Sequence, residues 1–406
     1  MESQQQIPIA ICGIGVRLPG AIRSAQDLYT FLHDKRDARN EVPPSRYNVS
    51  AYHDPAGKPG TINTQYGYYL SDADTDLAAF DPTMFTISNV ELASLDPSQR
   101  LLLEVTREAL ENAGEAHSFR GSKIGTFVGD FTEDWQDLQN ADLLNPAPYQ
   151  MTGKADFALA NRLAYEYDLR GPSVAIKTAC SATAEALRQA VLAIRAGSCP
   201  SAIVAGANII ITPRTSVAMT QFGLLASDGN CKTFDASADG FARGESVCAI
   251  YIKRLDEALR DGNAIRAVIR ACDGNADGGG GSGSDGARSF GTPNAAAQER
   301  LIRQTYELAG LDMAETKVVE LHGTGTPVGD PLETAAIAAC FGGEDAVYIG
   351  SVKPNLGHGE GASAMASIIK SVVALENRTI LPNIKFSKPN PKSETDHPLT
   401  PGILLA

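Results

Sequence analysis

The stretch IKTACSATAEAL, residues 176–187, places one cysteine between a short β-branched run and an alanine-rich segment. From Ser181 onward, apolar residues recur at helical spacing until Gly197 ends the run. Cys180 is therefore predicted at a strand-to-helix turn, beside the unpaired N–H groups of a helix start. That position favours a thiolate. On this stretch alone, a nucleophile and a small buried core cysteine are equally good interpretations.

A second strand, loop and helix occupy residues 318–342, VVELHGTGTPVGDPLETAAIAACFG. The strand would deliver His322 into a loop of glycines and threonines, whose hydroxyls can bind a polar ligand. The helix is predicted to start with Asp330 as its N-cap and Glu333 closing a capping box. A lone histidine is usually structural, but one held in such a loop is a candidate for chemistry.

A third unit, VYIGSVKPNLGHGEGASAMASIIKSVVALEN, covers residues 347–377 and carries Lys353 and His358 in a loop before a strongly apolar helix. Because that helix should be buried, the loop should lie inside the protein. A buried lysine needs a partner, such as Glu333, or a function. One thiol and two imidazoles at strand ends suit acyl-thioester chemistry, in which the thiolate takes the acyl group and the imidazoles stabilise an oxyanion and move protons.

Composition limits the class of protein. The chain has 406 residues, 43% of them hydrophobic, which allows two domains or one large α/β domain in two halves. A net charge of −13 argues against a nucleic-acid binder. No run of 18 apolar residues and no leader pattern is found, so we expect a cytoplasmic protein without a membrane partner. Seven cysteines without a C-x-x-C pair argue against a disulfide framework or a zinc site.

Several segments predict a layered α/β fold. Residues 7–15, IPIAICGIG, are typical of a buried strand ending in a glycine turn, and their spacing does not fit a dinucleotide-binding loop. Residues 97–113 have helical periodicity, and the apolar run 201–211 predicts a strand covered on both faces. The glycine-rich segment 274–287 is interpreted as a surface loop. Helical and strand-like segments alternate to the C-terminus, as in α/β proteins.

Three motifs together resemble the signatures of β-ketoacyl synthases. They are TACSA around Cys180, ELHGTGTPVGDPLE around His322, and GSVKPNLGHGEGAS around Lys353 and His358. Further stretches, including PIAICGIGVRLPGA, LDPSQRLLLEVTREALENAG, NRLAYEYDLRGPS, FDASADGFARGE and LENRTILPNIKFSKPNPK, are similar to the ketosynthase domain of fungal highly reducing polyketide synthases. The resemblance runs almost from end to end.

The resemblance implies a thiolase-like fold, a five-layered αβαβα sandwich of two similar α/β halves that usually pairs as a homodimer. The first half would span residues 1–255 and hold Cys180. The second, residues 256–406, would hold both candidate histidines and Lys353. A carrier protein or carrier domain would be the partner, with the substrate carried on its phosphopantetheine, and no bound cofactor or metal is expected.

By resemblance, Cys180 accepts the acyl chain. His322 and His358 assist decarboxylation of a malonyl thioester and stabilise the enolate that attacks it. Lys353 orders the site through Glu333. Two positions match the family's contacts with the pantetheine arm: Thr324 and Thr326.

Two features depart from the family pattern. Lys177 stands where the family usually has an acid, and a cation there would lower the pKa of the thiol if it pointed that way. The sequence also ends in SETDHPLTPGILLA, without the phenylalanine-bearing glycine loop that supplies the second N–H of the oxyanion hole. We therefore expect either a fragment or a short stand-alone ketosynthase whose second half lacks its last strands, with an unpaired sheet edge and a more open site.

These observations favour an enzyme that performs decarboxylative Claisen condensation in polyketide biosynthesis. One alternative is a trans-acting acyltransferase that releases the acyl group from Cys180 onto an amine, alcohol or carbon nucleophile. Another is a non-catalytic partner subunit of a polyketide synthase. The retained thiol argues against the last, because a scaffold has no need of it.

Overall fold

The structure is a computed structural model, and it describes residues 7–71, 73, 75–141, 144, 148–278, 291–342, 347–395 and 403–406. The described strands are β1 Ile9–Arg17, β2 Asn40–Glu41, β3 Tyr66–Gly67, β4 Gly125–Gly129, β5 Ser173–Ile176, β6 Ser201–Asn208, β7 Ser246–Arg254, β8 Ala267–Ile269, β9 Val318–Glu320, β10 Val347–Gly350 and β11 Ile403–Leu405. The described helices are α1 Ala25–His33, α2 Asn89–Ser94, α3 Pro97–Asn112, α4 Asp134–Asn140, α5 Gln150–Lys154, α6 Phe157–Glu166, α7 Ala182–Arg195, α8 Arg214–Gln221, α9 Leu255–Asp261, α10 Ala295–Ala309, α11 Gly329–Phe341, α12 Lys353–Leu356, α13 Ser363–Asn377 and α14 Pro391–Thr395.

The larger sheet has six strands in the order β5-β4-β6-β7-β1-β8. Strands β5, β4 and β6 run parallel, whereas β7 is antiparallel to both β6 and β1. At the far edge, β8 pairs antiparallel with β1. Strand β8 lies beyond residue 255 and nevertheless extends the first sheet, so chain order and sheet membership do not divide at the same residue.

Five layers are stacked in the molecule, which confirms the predicted thiolase-like fold. Apolar residues of α3 and α6 pack on one face of the six-stranded sheet. Helices α7 and α13 cover its other face and touch each other. On the far side of α13, Lys370 reaches Glu320 of the second sheet at 2.6 Å. Helices α10 and α11 then close the outer face of that sheet. The layers are therefore helix, sheet, helix, sheet, helix.

The glycines of β1 lie inside the strand, so the predicted glycine turn is wrong. Strand β1 continues to Arg17 and pairs with β7 along almost its whole length. A Cβ added at Gly13 would lie 2.9 Å from the Cβ of Ala113 and would clash with the carbonyl oxygen of Ala109. The glycines therefore let α3 approach the sheet closely.

The second sheet has three parallel strands in the described part of the chain, in the order β11-β10-β9. Its strand β11 comes from the C-terminal stretch, and the N–H of Ala406 donates to the carbonyl of Ile349 at 2.9 Å. Strand β9 has a described neighbour on one side only.

Most of the glycine-rich segment 274–287 lies outside the described residues. Among the residues that are described, none of the helices has the length and apolar character needed to cross a bilayer.

Candidate active site

Cys180 lies in a single 3₁₀ turn, Ala179–Ser181, directly before α7. Ala179 adopts φ 53°, a left-handed conformation that costs energy for a residue with a Cβ. The turn leads directly into α7, whose first residues pack closely on Gly129 at the end of β4. The thiol is half-buried and accessible. Both the strand-to-helix position and its accessibility match what a nucleophile needs.

Burial and nearby charge act on the Cys180 thiol in addition to the helix start. Burial raises the pKa of the Cys180 thiol, and the positive charge of Lys353 opposes that effect only in part. The helix start, which favours the thiolate, is therefore opposed by burial. Lys177 does not point at the thiol, because its ammonium binds Glu133 at 2.6 Å and Asp156 at 3.1 Å.

His322 follows β9 and opens onto solvent. Its backbone N–H donates to Glu333 at 2.6 Å, and the N–H of Gly323 donates to the other oxygen of the same carboxylate at 2.8 Å. The hydroxyl of Ser351 donates to the carbonyl of His322 at 3.3 Å. The backbone of this histidine is thus held on both sides while its ring remains accessible.

Asp330 does not cap α11, contrary to the prediction. The helix begins at Gly329 with Val328 at the N-cap and without a side-chain cap bond. The buried carboxylate of Asp330 instead accepts the N–H groups of Phe234 at 2.7 Å and Gly325 at 3.1 Å. Burial raises the pKa of Asp330 to about 7. Asp330 therefore ties the His322 loop to a neighbouring loop.

His358 is buried next to the thiol and to the ring of His322. Its Nδ1 accepts the backbone N–H of Glu360 at 2.9 Å, so the proton of the neutral ring resides on Nε2. Its ring packs on Phe241, with 4.8 Å between centroids. The ring of His322 meets it edge-on, at 5.4 Å and 88°. His358 is therefore oriented as a hydrogen-bond donor.

Both imidazoles are neutral at pH 7. Burial, reinforced by the charge of Lys353, lowers the pKa of His358 to about 3. The surrounding protein and the same lysine hold the pKa of His322 well below its usual value, although its ring is open to water. A neutral imidazole has one N–H that can donate to a developing negative charge and one nitrogen that can accept a proton.

The three side chains converge on one point. One ligand-type atom from each of Cys180, His322 and His358 lies within 4.8 Å of the other two. A sulfur and two imidazoles at this spacing resemble a metal site, but the donor set does not fit one. With Nδ1 of His358 engaged by Glu360, Nε2 carries the proton and has no lone pair to offer a metal ion. The cluster fits proton donation and nucleophilic attack.

Lys353 begins α12 and is 1% exposed. Its predicted ion pair with Glu333 is replaced by a longer-range attraction, because the Glu333 oxygens accept backbone N–H groups. Burial lowers the pKa of Lys353, while Glu320 and then Glu333 raise it. The ammonium therefore acts on Cys180 and on both imidazoles as a nearby charge.

Comparison with known proteins agrees with this geometry. The profile described as "Beta-ketoacyl synthase, N-terminal domain" matches residues 6–258, and the corresponding C-terminal domain profile matches residues 276–387.

This chain belongs to the β-ketoacyl synthase family.

Similar fungal proteins are much longer than this ketosynthase. The squalestatin hexaketide synthase of a Phoma species is 70% identical over 392 residues, which cover 96% of this chain and 15% of that protein. A highly reducing polyketide synthase of a Fusarium species is 52% identical over 97% of this chain and again 15% of its own length. The chain thus spans about 15% of the length of these relatives.

Solved ketosynthase structures share the fold. The oxazolomycin ketosynthase domain OzmH KS7 of Streptomyces albus JA3453 is 32% identical with a TM-score of 0.87, and the match covers 98% of this chain and 68% of that one. The ketosynthase from module 6 of the bacillaene synthase of Bacillus subtilis 168 is 30% identical with the same TM-score, covering 98% and 66%.

Thr324 and Thr326 of this ketosynthase lie in the His322 loop. Their hydroxyl oxygens are 3.5 Å apart, and that of Thr326 also accepts the N–H of Gly329 at 3.1 Å. Thr324 is buried and Thr326 half-buried. The two hydroxyls are therefore neighbours, and their predicted contact with the pantetheine arm stays a prediction.

Sequence reasoning missed the residues that set the orientation of the His358 ring. Glu360 supplies the N–H that fixes the tautomer, Phe241 supports the ring, and Arg243 pairs with the Glu360 carboxylate. The only available signal was charge, since Arg243 and Glu360 both occur within motifs otherwise rich in small residues.

Proposed function

We propose that this ketosynthase takes an acyl group from a carrier's phosphopantetheine onto Cys180 and joins it to a malonyl thioester with loss of carbon dioxide. One observation carries the proposal: a thiol and two neutral imidazoles meet within 4.8 Å at an accessible site. The relatives named polyketide synthases support a carrier-bound polyketide chain as the substrate.

The first step is a thioester exchange. The Cys180 sulfur attacks the acyl carbonyl, the new C–S bond forms, and the bond to the pantetheine sulfur breaks. Because the raised pKa keeps Cys180 protonated at rest, its proton leaves during attack and ends on the departing pantetheine sulfur. Lys353 stabilises the developing thiolate through its charge.

The second step forms the carbon–carbon bond. Cleavage of the malonyl carboxylate releases carbon dioxide and leaves an enolate thioester. The Nε2–H of His358 and the ring of His322 donate to that oxygen. The enolate carbon then attacks the acyl–Cys180 thioester and expels the cysteine sulfur as a thiolate, which takes a proton from water as the β-ketoacyl thioester leaves.

The test separates loading from condensation. Intact mass spectrometry after incubation with an acyl-carrier thioester should show acylated wild-type protein and no adduct on C180A. Release of carbon dioxide from malonyl-carrier should fall on the order of a hundredfold to a thousandfold in H322A, which still acylates. Full carbon dioxide release by H322A contradicts condensation. An adduct without carbon dioxide release from the wild type indicates acyl transfer instead, and no adduct at all indicates a scaffold.

We also propose that two copies pair through the free edge of β5. In the described part of the chain, β5 has a sheet neighbour only in β4. Val174 on this strand is 39% exposed, and the adjacent helix α6 presents Phe157, which is 46% exposed. An open strand edge beside exposed apolar side chains is suited to pairing with a second strand.

A reducing, cytoplasmic setting suits this chemistry. All seven cysteines are free thiols. The catalytic sulfur must remain a thiol between cycles, and the cytosol keeps thiols reduced.

A further inference from the structure

Glu360, whose backbone N–H binds the His358 ring, forms a buried ion pair with Arg243. The guanidinium of Arg243 contacts both oxygens of Glu360, from Nε to Oε1 and from Nη2 to Oε2 at 3.1 Å. The side chains are 3% and 1% exposed. The remaining Arg243 nitrogen, Nη1, donates to the hydroxyl of Ser216 at 2.8 Å. This bidentate geometry holds the Glu360 side chain in one place.

Glu360 is a residue that needs to be held. Its φ of 46° lies in the left-handed region, which is unfavourable for a side chain other than glycine. The same residue supplies the N–H that binds Nδ1 of His358. The ion pair therefore stabilises a strained backbone whose amide has a specific target.

The backbone segment around Arg243 also pairs with His358. The backbone at Arg243 forms a parallel bridge with His358. The N–H of His358 donates to the carbonyl of Ala242, and the N–H of Gly244 donates to the carbonyl of His358, both at 2.8 Å. The neighbours of Arg243 thus hold the histidine backbone, while the Arg243 side chain holds Glu360, whose amide binds the histidine ring.

We infer that Arg243 is a positioning residue: through its ion pair with Glu360 it selects the His358 tautomer that carries its proton on Nε2. The inference rests on the proposed function. If the Glu360 amide moves away, Nδ1 is free to hold the proton and Nε2 becomes an acceptor. The ring then repels the enolate oxygen that it should bind.

Loss of the Arg243–Glu360 ion pair should affect decarboxylation and leave the loading of Cys180 almost unchanged. Loading of Cys180 uses the sulfur, whereas decarboxylation needs the Nε2–H donor. Loss of the ion pair should therefore slow carbon dioxide release on the order of tenfold to a hundredfold while changing acylation by less than about threefold. A general structural defect would lower both.

The experiment compares R243K with a matched control, R46K. Arg46 forms an equally buried bidentate pair with Glu245, at 2.8 Å and 3.0 Å and with side chains 2% and 0% exposed. The N–H that binds Nδ1 of His358 belongs to Glu360 and not to Glu245. Lysine keeps the charge in each pair but removes the bidentate contact. Both variants should lose similar stability. Only R243K should lose carbon dioxide release relative to acylation.

The ring nitrogens report the tautomer directly. In protein labelled with ¹⁵N-histidine, assigned by comparison with H358Q, the wild type should show a protonated Nε2 and an unprotonated Nδ1 for His358. R243K should shift both signals towards a tautomer mixture, and R46K should not. Wild-type ring shifts in R243K, with an unchanged ratio of the two half-reactions, overturn the inference.

A failure of R243K to fold and a lack of activity in the wild type lead to different conclusions. If R243K does not fold, the double variant R243Q/E360Q removes both charges together and is read in the same two assays, with the same expected result. If the wild type itself releases no carbon dioxide, the proposed function fails, whereas the ring shifts still decide whether Arg243 sets the tautomer.

Discussion

At Cys180, burial and a nearby cation act in opposite directions on one thiol. Burial raises its pKa, and Lys353 is the cation that lowers it. Helix α7 begins two residues later, so its partial positive charge also favours the thiolate. The thiol is thus reactive through stabilisation of the charge that develops on attack, more than through a large thiolate population at rest.

Replacing Lys353 should make the thiol less reactive. In K353M the opposing charge is lost, so the inflection of Cys180 alkylation against pH should move upward by about one pH unit. The measurement is the iodoacetamide rate at Cys180, followed by peptide mass. K177M is the control, because Lys177 is bound to Glu133 and Asp156, and its profile should match the wild type. A shift in K177M equal to that in K353M would contradict this assignment.

His358 should make the folded state sensitive to acid. Its pKa is about 3 in the folded protein against an ordinary value of 6.5. Below pH 6.5 the unfolded chain takes up a proton that the folded chain refuses. The stabilising contribution present above pH 6.5 is therefore lost as pH falls towards 3, by about 1.4 kcal/mol per pH unit.

The measurement is the free energy of unfolding in urea at several pH values between 4 and 7. H358Q cannot titrate, so its stability should fall less steeply with acid than that of the wild type. Buried carboxyls such as Asp330, whose pKa is raised to about 7, act with the opposite sign but are common to both proteins and cancel in the difference. Parallel pH curves for the two proteins would show that His358 is not held neutral by the fold.

The sequence predicts which residues are reactive better than it predicts their hydrogen-bond and ion-pair partners. Cys180, His322 and His358 stand out because each follows a strand and precedes a helix, and the structure brings them together. The hydrogen-bond and ion-pair partners of these residues cannot be predicted from spacing along the sequence. Glu333 binds backbone amides instead of Lys353, because its helix places both oxygens against the His322 loop. Such a choice depends on three-dimensional distances that spacing does not contain.

At the scale of single elements, the position of the thiol depends on how closely α7 meets β4. A Cβ at Gly129 would lie 2.6 Å from the carbonyl carbon of Ala182 and 2.7 Å from Cα of Thr183. Both are backbone atoms at the start of the helix, so neither can rotate away. The 3₁₀ turn with Cys180 is continuous with this helix start.

G129A should therefore push the start of α7 away from the sheet and cost about 1–3 kcal/mol. We expect a lower unfolding midpoint together with slower Cys180 acylation. G291A is the control, because a Cβ there meets nothing within 4 Å. Wild-type acylation by a destabilised G129A would show that the thiol is positioned independently of this contact.

Tertiary packing also explains which helix and strand boundaries are predicted correctly from the sequence and which are not. The helix at 97–113 has clear periodicity and a proline at its first turn, and α3 is Pro97–Asn112. The end of β1 is misjudged because Gly13 and Gly15 look like a turn, whereas they accommodate α3. The start of α11 is misjudged because Asp330 has a buried loop as its target. A glycine or an aspartate has several uses, and tertiary packing selects among them.

At the scale of the whole molecule, the thiolase-like architecture is predicted from the family resemblance and confirmed by the layers and by the solved relatives. The alternation of helical and strand-like segments alone predicts only a layered α/β protein. The assignment of β8 to the first sheet cannot be obtained from local pattern, because three residues pair with β1 across more than 250 positions of sequence. The predicted division at residue 255 stays a prediction about the two halves.

Within the described residues, the six-stranded sheet has two edge strands, β5 and β8, that can be compared in a test of pairing between copies. Val174 on β5 is 39% exposed at one edge, and Val268 on β8 is 38% exposed at the other. Edge strands that carry a lysine resist pairing with another chain. The proposed dimer uses the β5 edge, where α6 adds the exposed Phe157.

V174K should therefore weaken self-association at least tenfold, whereas V268K should leave it unchanged, as measured by sedimentation velocity over a concentration series. Both substitutions place the same charge on an equally exposed edge residue, so a general effect of charge on solubility would appear in both. Dissociation by V268K alone would assign the interface to β8. If neither variant changes the sedimentation of a dimeric wild type, the copies pair through neither edge, and the exposed side chains near β5 need another explanation.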